Sequence, residues 1–281
     1  MSDKPFSGQR VIITGGGTGI GRAAALAFAE QGAEWVLVTG RRTEPLAESA
    51  AAHPAICAVV ADVGTEEGAE TVAGAVTEGP GTADILIHNA GVLRPSRLGD
   101  CDVVQVRALF DTNVLGPLIL TNRMLPLLRS PGASVLLLSS VVGHRPALPG
   151  TSAYAASKAA VESFVRSWAL ELAGLGIRVN GVAPGSTRTQ AMPSHLTPEQ
   201  VTQAEARLKQ MIPAGRRADP GEIVTWITQV SDPRSGFLTG QVITVDGGQE
   251  LTGFPVSSGH QAQPLRPGPP GPGREPSQVP A

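Results

Sequence analysis

A short apolar strand that leads directly into a glycine-rich turn and then a helix is the feature that most limits how this chain can fold. Val11-Ile12-Ile13 is apolar and β-branched, the segment Thr14 to Gly21 contains five glycines, and the alanine-rich residues 22–31 follow. Glycine permits positive φ angles and a close approach to phosphate, and the free N–H groups of a helix N-terminus bind phosphate oxygens. The segment therefore indicates either a plain tight turn or the pyrophosphate site of a dinucleotide-binding fold. In the second interpretation the binding residues are Gly15, Gly17, Thr18, Gly19, Ile20 and Gly21.

Apolar runs and helical segments alternate along the rest of the chain. Strands are predicted at 11–13, 35–39, 56–61, 84–88, 134–138, 177–182 and 241–245, and helices at 22–31, 65–77, 102–128, 152–172 and 221–230. This alternation is typical of a parallel sheet covered by helices on both faces. We therefore predict an α/β fold, a three-layer, doubly wound, Rossmann-like parallel sheet, in a single catalytic domain over residues 7–251 after an N-terminal extension at 1–6.

Two segments lack this alternation. The polar stretch at about 186–212 leaves the sheet and is predicted to form a lid over a cleft. From Thr252 to Ala281 the sequence is rich in proline, glycine, serine and glutamine, and it has too few apolar residues to form a core. We expect a disordered tail there, with a partner-docking proline segment as the alternative.

The composition excludes several classes of function. The net charge is -2, and no run of lysine or arginine exceeds a pair, so we predict no nucleic-acid partner and no membrane-surface partner. The first residues lack the apolar region of a signal peptide, and no apolar run reaches the roughly 18 residues of a membrane span. We therefore expect a cytoplasmic protein.

Cysteine and histidine give little sign of a metal site. Cys57 and Cys101 each lie in or beside an apolar segment, which predicts buried thiols in a reducing compartment rather than a disulfide. His144 and His195 have no second ligand at metal spacing, and we expect exposed loop histidines, with a substrate-facing position as the alternative. No metal is predicted.

Tyr154 and Lys158 are the clearest candidates for chemistry. Tyr154 is the only tyrosine, and Lys158 follows it by four residues in the predicted helix at 152–172, so both side chains can face one cleft. A nearby ammonium lowers the pKa of a phenol from about 10 toward the working pH, where the phenol can transfer a proton. Ser140, at the end of the preceding strand, offers a hydroxyl to the same cleft. The spacing also arises by chance, as a half-buried ring beside a solvated lysine.

The predicted helix at 102–128 is interrupted at Asn113 and at Gly116-Pro117. A proline inside a helix removes a backbone hydrogen bond and kinks the helix. Carbonyl groups near Asn113 are therefore expected to be free for other partners.

In their order along the chain, these motifs resemble those of the short-chain dehydrogenase/reductase family across residues 7–250. Thr14 to Gly21 is similar to the family's Thr-Gly-x-x-x-Gly-x-Gly turn, His88-Asn89-Ala90-Gly91 to its Asn-Asn-Ala-Gly motif, and Pro184-Gly185 to its nicotinamide-side loop. The residues that match its catalytic tetrad are Asn113, Ser140, Tyr154 and Lys158. His88 departs from the pattern by replacing an asparagine. Ser140 lies fourteen residues before Tyr154, one more than is common in the family, and this keeps Ser139 as an alternative for the serine.

The resemblance implies an NAD(P)-dependent oxidoreductase that interconverts a small-molecule ketone and a secondary alcohol. It implies Tyr154 as the acid and base, and Lys158 as the residue that lowers the pKa of Tyr154 and binds the nicotinamide ribose. Ser140 would hold the substrate oxygen, and Asn113 would keep a place for a water that relays protons. A homotetramer or homodimer built on the helices at 102–128 and 152–172 is also implied. The alternatives are a non-catalytic NAD(P)-binding regulator and an epimerase or lyase of the same fold.

The cofactor-binding residues on this interpretation come from each strand end along the cleft. They are Gly15, Gly17, Thr18, Gly19, Ile20, Gly21, Arg41, Arg42, Asp62, Val63, Asn89, Ala90, Gly91, Tyr154, Lys158, Pro184, Gly185, Thr187 and Thr189.

The end of the second strand bears on the choice between NADP and NAD. An NAD site places a carboxylate there for the ribose hydroxyls, but this chain has Thr39-Gly40-Arg41-Arg42. A guanidinium can hold the 2'-phosphate of NADP through paired charged hydrogen bonds. We predict NADP, with NAD possible if both arginines only cap the next helix or lie in solvent.

Overall fold

The predicted apolar runs form one seven-stranded parallel sheet in the computed structural model of the chain. The structure describes residues 4–145, 149–189, 197, 199, 202–203, 206 and 210–252. The strands are β1 Arg10–Thr14, β2 Trp35–Gly40, β3 Ile56–Val60, β4 Ile85–His88, β5 Ser134–Leu138, β6 Arg178–Pro184 and β7 Val242–Val245. Their order is β3-β2-β1-β4-β5-β6-β7, so the winding reverses between β1 and β4. Ligands of such sheets bind in the crevice at the carboxyl ends of the strands beside the reversal. The predicted doubly wound α/β fold is confirmed.

Helices cover both faces of the sheet. In the described residues they are α1 Gly19–Glu30, α2 Thr43–Ala51, α3 Glu66–Glu78, α4 Val103–Phe110, α5 Gly116–Met124, α6 Ser152–Leu172 and α7 Pro220–Ser231. Helix α6 has the predicted bounds. Two of the helices begin at capping side chains: the Thr65 hydroxyl accepts the Gly68 N–H at 3.0 Å before α3, and Asp219 forms a capping box with Glu222 before α7.

Alternate side chains of the strands build two apolar layers. Ile12 of β1 packs in the layer that includes residues of α3, α5 and α6, whereas Val11 and Ile13 pack in the layer that includes residues of α1 and α7. Phe6 belongs to the second layer, since it is 1% exposed and meets Phe28 edge-on with ring centroids 4.6 Å apart. The packed domain therefore includes Phe6, and the predicted extension at 1–6 is too long.

The prediction of buried thiols is wrong. Cys57 and Cys101 are both exposed and free. Cys57 lies in β3, which is an edge strand of the sheet, and most of that strand's residues are at least partly exposed. An apolar run on an edge strand does not have the cover that a central strand has on both faces.

The predicted helix at 102–128 is continuous but changes its winding in the middle. A π-helical turn, Asp111–Leu115, joins α4 to α5, and a short 3-10 turn, Leu125–Leu127, ends it. The interruption is thus a π-helical turn just before Pro117, a feature that is frequent at functional sites. Pro117 has no N–H to give to the carbonyl of Asn113 four residues earlier.

This composite helix is the one stretch of the described chain that is long and apolar enough, by length and composition alone, to cross a membrane. In this fold the helix belongs to one of the layers that cover the sheet, because its own side chains Leu109, Leu120 and Met124 are fully buried. Its outer face exposes Val103, Val104, Leu115 and Leu118.

Two predicted features lie outside the described residues. One is most of the predicted lid, including His195; the residues of the lid that are not described are 190–196, 198, 200–201, 204–205 and 207–209. The other is the predicted tail from residue 253 onward.

Candidate active site

A cavity of about 1060 Å³ runs along the carboxyl ends of the strands next to the winding reversal. Most of the predicted cofactor residues line it: Gly15, Gly17, Thr18, Gly19, Ile20, Arg41, Arg42, Asp62, Val63, Asn89, Ala90, Gly91 and Thr189. Its position is the one that the strand order predicts for a nucleotide.

The backbone between β1 and α1 is shaped as a cradle. Gly15 and Gly19 have φ angles of 68° and 57°, which side-chain-bearing residues rarely adopt. A Cβ atom at Gly15 would lie 2.9 Å from the Cα of Ala90, so the turn also depends on the missing side chain. Thr18 caps α1 without a side-chain hydrogen bond to the first turn, which leaves the N–H groups of that turn to an anion. These features fit the pyrophosphate of a dinucleotide.

Gly21 and Asn89 support this cradle from behind. Gly21 does not line the cavity; a Cβ atom there would collide with the carbonyl oxygen of Gly15 and the amide of Asn89. The Asn89 amide donates to the carbonyls of Thr14 and Gly15 at 2.9 and 3.1 Å. Gly21 thus allows close packing of α1, and Asn89 fixes the glycine turn to the end of β4.

A second cavity, of about 440 Å³, adjoins the first and shares Ile20, Asn89 and Thr189 with it. Six more of the predicted residues line this cavity: Ser140, Tyr154, Lys158, Pro184, Gly185 and Thr187. The structure therefore brings the predicted catalytic side chains to the far end of the nucleotide cleft.

Ser140 and Tyr154 meet across the second cavity. The Ser140 hydroxyl makes a hydrogen bond with the Tyr154 phenol, whereas burial of the phenol raises the pKa of Tyr154 and the Ser140 bond only partly opposes this rise. The expectation that Lys158 lowers the pKa of Tyr154 is therefore not met. The Lys158 Nζ atom lies 5.9 Å from the centroid of the ring and donates to the Leu138 carbonyl at 2.7 Å instead of to the phenol.

Lys158 is itself buried, at 5% exposure. Burial lowers the pKa of Lys158 to about 8, because a charged group is poorly solvated there. The ammonium is therefore still mostly protonated at neutral pH.

Asn113 is buried behind the two cavities and lines neither. Its amide oxygen accepts the Val92 N–H at 2.8 Å, and its amide nitrogen donates to the Val92 carbonyl at 2.9 Å and to the Ser157 hydroxyl at 3.0 Å. The side chain thus connects the π-helical turn to the loop after β4 and to α6.

The structure separates the two serines at the end of β5. Ser139 is buried, and its hydroxyl donates to the Glu162 carboxylate at 2.8 Å and approaches the Lys158 carbonyl at 3.3 Å. Its neighbour Ser140 is the serine beside Tyr154. Both serines line the second cavity, but only Ser140 pairs with the phenol, so the geometry favours Ser140 over the alternative Ser139.

His88, the residue that departs from the family motif, is a packing residue. Its Nε2 atom lies 2.8 Å from the Thr121 hydroxyl, and its ring lies edge-on to Trp168 at 6.5 Å between centroids. Complete burial lowers the pKa of His88 to about 3, so the ring is neutral. It lines neither cavity.

Arg41 and Arg42 follow β2 and are exposed at the edge of the larger cavity. Among the residues that the structure describes, Arg41 forms only a long ion pair with Asp62, 3.9 Å between Nη1 and Oδ2. Arg42 is the N-cap residue of α2 but makes no side-chain capping bond. Both guanidinium groups are therefore placed where a negatively charged group in the cavity could reach them.

His144 is exposed in the loop after β5, as the sequence predicts, but both of its ring nitrogens have partners. Its Nδ1 atom lies 2.7 Å from Glu162 and its Nε2 atom 3.0 Å from Glu250. The sequence motifs did not indicate the two partners of His144, Glu162 and Glu250. They also did not indicate Gln249 and Arg217, both of which line the second cavity. Of these residues, only Glu162 could have been found from the sequence, because it lies four residues after Lys158 and therefore on the same face of the helix. In the described residues no group of three or more side chains is arranged to hold a metal ion.

Comparison with known proteins gives consistent results. The family model described as enoyl-(acyl carrier protein) reductase matches residues 15–250. Oxidoreductase UcpA of Salmonella typhimurium is 33% identical over 252 residues, which cover 88% of this chain and 96% of the relative. The 3-oxoacyl-(acyl-carrier-protein) reductase FabG of Thermotoga maritima is 33% identical over 247 residues, which cover 86% of this chain and 98% of the relative.

A solved structure adds the fold to these sequence matches. A short-chain dehydrogenase/reductase of unknown function from Caenorhabditis elegans, determined with cofactor, has a TM-score of 0.81 and 34% identity, and the match covers 89% of this chain and 97% of that one. These matches cover nearly the whole length of the two relatives and of the solved structure. The chain belongs to the short-chain dehydrogenase/reductase family and is an NAD(P)-dependent oxidoreductase.

Proposed function

We propose that the protein is an NADP(H)-dependent oxidoreductase that interconverts a ketone and a secondary alcohol, with Tyr154 as the acid and base. The observation that carries the proposal is the meeting of Ser140, Tyr154 and Lys158 around one small cavity that opens into the nucleotide cleft. The name of the Thermotoga relative, which specifies reduction of a 3-oxoacyl group, supports a carbonyl as the reacting group.

The protein side of the reaction is proton transfer and orientation. When bound, the nicotinamide cofactor supplies or accepts the hydride at the substrate carbon. Ser140 donates a hydrogen bond to the substrate oxygen, and Tyr154 gives that oxygen a proton during reduction or takes it during oxidation. The Lys158 ammonium stabilises the negative charge that develops on the phenol, because a charge is weakly screened in a buried site.

A water bound near Asn113 would return to Tyr154 the proton that it gives to the substrate. Pro117 cannot donate to the Asn113 carbonyl, so this oxygen can hold a water near Lys158. A Cβ atom at Gly91 would lie 3.4 Å from the Lys158 Nζ atom and 3.5 Å from the Asn113 amide oxygen, so both side chains border the space that glycine leaves.

The preference for NADP is supported by the charge at the end of β2. Arg41 and Arg42 are exposed on the cavity wall, and no carboxylate follows β2 directly. Asp62, the nearest acid to Arg41, already accepts the Gly64 N–H at 3.0 Å. A 2'-phosphate would give both guanidinium groups a stronger partner than any they now have.

The experiment that tests this function is a panel of ketones assayed with the purified full chain while the absorbance of NADPH or NADH is followed. Turnover of at least one ketone, with a lower KM for NADPH than for NADH, is the expected result. Cofactor binding without turnover on any ketone or alcohol would instead favour a regulator. Turnover without net change in the cofactor would favour an epimerase or lyase.

We also propose that the protein assembles as a homotetramer or homodimer. Val103, Val104, Leu115 and Leu118 are exposed on the composite helix, which packs beside α6, where Leu170 is exposed too, and exposed apolar side chains on neighbouring helices are typical of an interface. Trp226 of α7 and Phe237, which precedes the edge strand β7, are exposed too, and they favour a second contact and thus the tetramer. Light scattering that gives a monomer mass at micromolar concentration would contradict both assemblies.

A further inference from the structure

The buried carboxylate of Glu162 contacts the loop that carries Ser140 at both ends, through Ser139 and through His144. Glu162 lies one helical turn beyond Lys158 on α6 and is 4% exposed. Its Oε1 atom accepts the Ser139 hydroxyl at 2.8 Å and lies 2.7 Å from Nδ1 of His144. A Cβ atom at Gly143 would lie 2.7 Å from the same oxygen. The loop from Ser139 to His144 is thus folded directly over this carboxylate.

The opposite nitrogen of His144 reaches the segment at 249–252. Its Nε2 atom lies 3.0 Å from Oε2 of Glu250 and 3.3 Å from the Thr244 hydroxyl. The residue before Glu250 is Gln249, which lines the second cavity and accepts the Ser186 N–H at 2.9 Å. Arg145 also donates to the backbone carbonyls of Gln249 and Thr252. His144 therefore connects the Ser140 loop to another wall of the same cavity.

The two carboxylates determine the charge of His144. One carboxylate lies at each ring nitrogen, and each carboxylate can only accept a hydrogen bond. A neutral imidazole has one N–H group and can donate to only one of them, whereas the imidazolium has two and can donate to both. The groups that face the ring are Glu162 from α6, Glu250 from the segment at 249–252, and the uncharged Thr244 from β7. Partial burial works against the charge, but the hydrogen bonds to the two glutamates outweigh it and raise the pKa of His144 above its usual value.

We propose that Glu162 and His144 are positioning residues for Ser140, and that protonated His144 extends this connection to Gln249 on the substrate cavity wall. The inference rests on the proposed function, because it assigns these residues to the same cavity. When His144 loses its proton and keeps Nδ1–H for Glu162, Nε2 can accept only from the Thr244 hydroxyl, and Glu250 is released. The wall at Gln249 then loosens, so substrate binding weakens while the Tyr154 chemistry is unchanged.

The first experiment follows the histidine ring protons of the full chain by NMR across pH. His144→Gln identifies the His144 signal, and His53→Gln, at a position outside both cavities, is the matched control. We expect a His144 pKa above the reference of about 6.5 that falls in Glu250→Gln, since a glutamine amide can pair with neutral Nε2. A His144 pKa at or below the reference in the native protein, or one unmoved in Glu250→Gln, would overturn the proposal whatever the enzyme does.

The second experiment measures KM and kcat separately against pH. In the native protein the substrate KM should rise about three- to tenfold as His144 titrates, the scale of one charged hydrogen bond, with no matching step in kcat. Glu250→Gln should remove this step, and a step that persists there would overturn the role of His144.

Glu162 is tested by a pair of variants. Glu162→Leu should lower kcat by about tenfold or more, since misplacing a catalytic group is costly, and Glu162→Gln should restore most of it because the amide oxygen can still accept from Ser139. Equal losses in both variants would contradict positioning through this oxygen. If no ketone is reduced, the NMR titration still decides on the network, so failure of the proposed function is distinguishable from failure of this inference.

Discussion

The two ends of the cleft are built in different ways. The nucleotide end is made of backbone: a glycine turn, an open helix N-terminus and strand ends whose shape depends on the absence of side chains. The catalytic end is made of side chains from separate elements, namely Ser140 after β5 and Tyr154 and Lys158 on α6, with Asn113 of the π-helical turn buried behind them. A backbone cradle is damaged by adding atoms, whereas a constellation of side chains is damaged by removing them.

The largest effect is expected from removal of one oxygen atom at the catalytic end. Tyr154→Phe should lower kcat by about 100-fold or more, the scale of general acid catalysis, and should leave cofactor affinity within about threefold because the nucleotide cradle is untouched. Steady-state kinetics and titration of cofactor binding measure the two quantities. Near-normal turnover in this variant would exclude Tyr154 as the acid and base.

The opposite change, one added carbon atom, tests the nucleotide end. Gly21→Ala places a methyl group against the Gly15 carbonyl and the Asn89 amide, and overpacking of this kind costs about 1–3 kcal/mol. We expect weaker cofactor binding and a lower melting temperature, measured by titration and calorimetry.

Gly74→Ala is the matched control for that variant. Gly74 lies in α3, and a Cβ atom there would meet nothing within 4 Å, so alanine should stabilise the helix by about 0.5–1 kcal/mol. If both glycine variants bind cofactor as the native protein does, the glycine turn is not the cradle that the contrast requires.

The contrast also explains how much was readable from the sequence. The glycine turn is contiguous, and Tyr154 and Lys158 share one helix, so spacing made both of them candidates, and the family resemblance then implied their roles. The ring of contacts around His144 joins residues 18 and 106 positions apart, and no local pattern marks such a pairing. Most of the predicted lid lies outside the described residues, so that part of the catalytic end stays a prediction.

The errors had physical causes of the same kind. The direction of the Tyr154 pKa depends on burial, which spacing does not reveal, and spacing alone suggested a closer lysine than the structure has. The exposure of Cys57 depends on the place of β3 at the sheet edge, which is a property of strand order. Local motifs are readable, whereas desolvation and edge position are set by the whole fold.

The pH dependence of the reaction distinguishes a charged Lys158 from a purely structural one. With a pKa of about 8, Lys158 loses its charge as the pH rises through 8, so kcat for ketone reduction should fall toward about tenfold per pH unit above that point. Lys158→Arg, which stays charged, should lack this decline even if its activity is lower overall.

Stability gives an independent check on the same group. The pKa of Lys158 is lowered by burial from 10.5 to about 8, so between these values the unfolded chain binds more protons than the folded one. The free energy of unfolding, relative to Lys158→Met, should therefore rise as the pH increases from about 8 to 10.5. No change in that window would mean that the ammonium is as well solvated as in the unfolded chain, and that the activity profile has another origin.

The smallest effect on catalysis is expected from the two arginine side chains at the nucleotide end. Arg41 and Arg42 lie on the cavity wall, exposed and weakly partnered, and they are the part of the cradle that backbone shape does not provide. Replacing both by alanine should reduce the ratio of kcat/KM for NADPH to that for NADH by about tenfold, the scale of one lost charged hydrogen bond. Arg123→Ala is the matched control, since Arg123 is an exposed arginine that pairs with Glu70 and lines neither cavity. A native preference for NADH, or a preference for NADPH that survives the loss of both arginines, would show that the 2'-phosphate is not recognised at the end of β2, and the nucleotide end would then be a cradle of backbone alone.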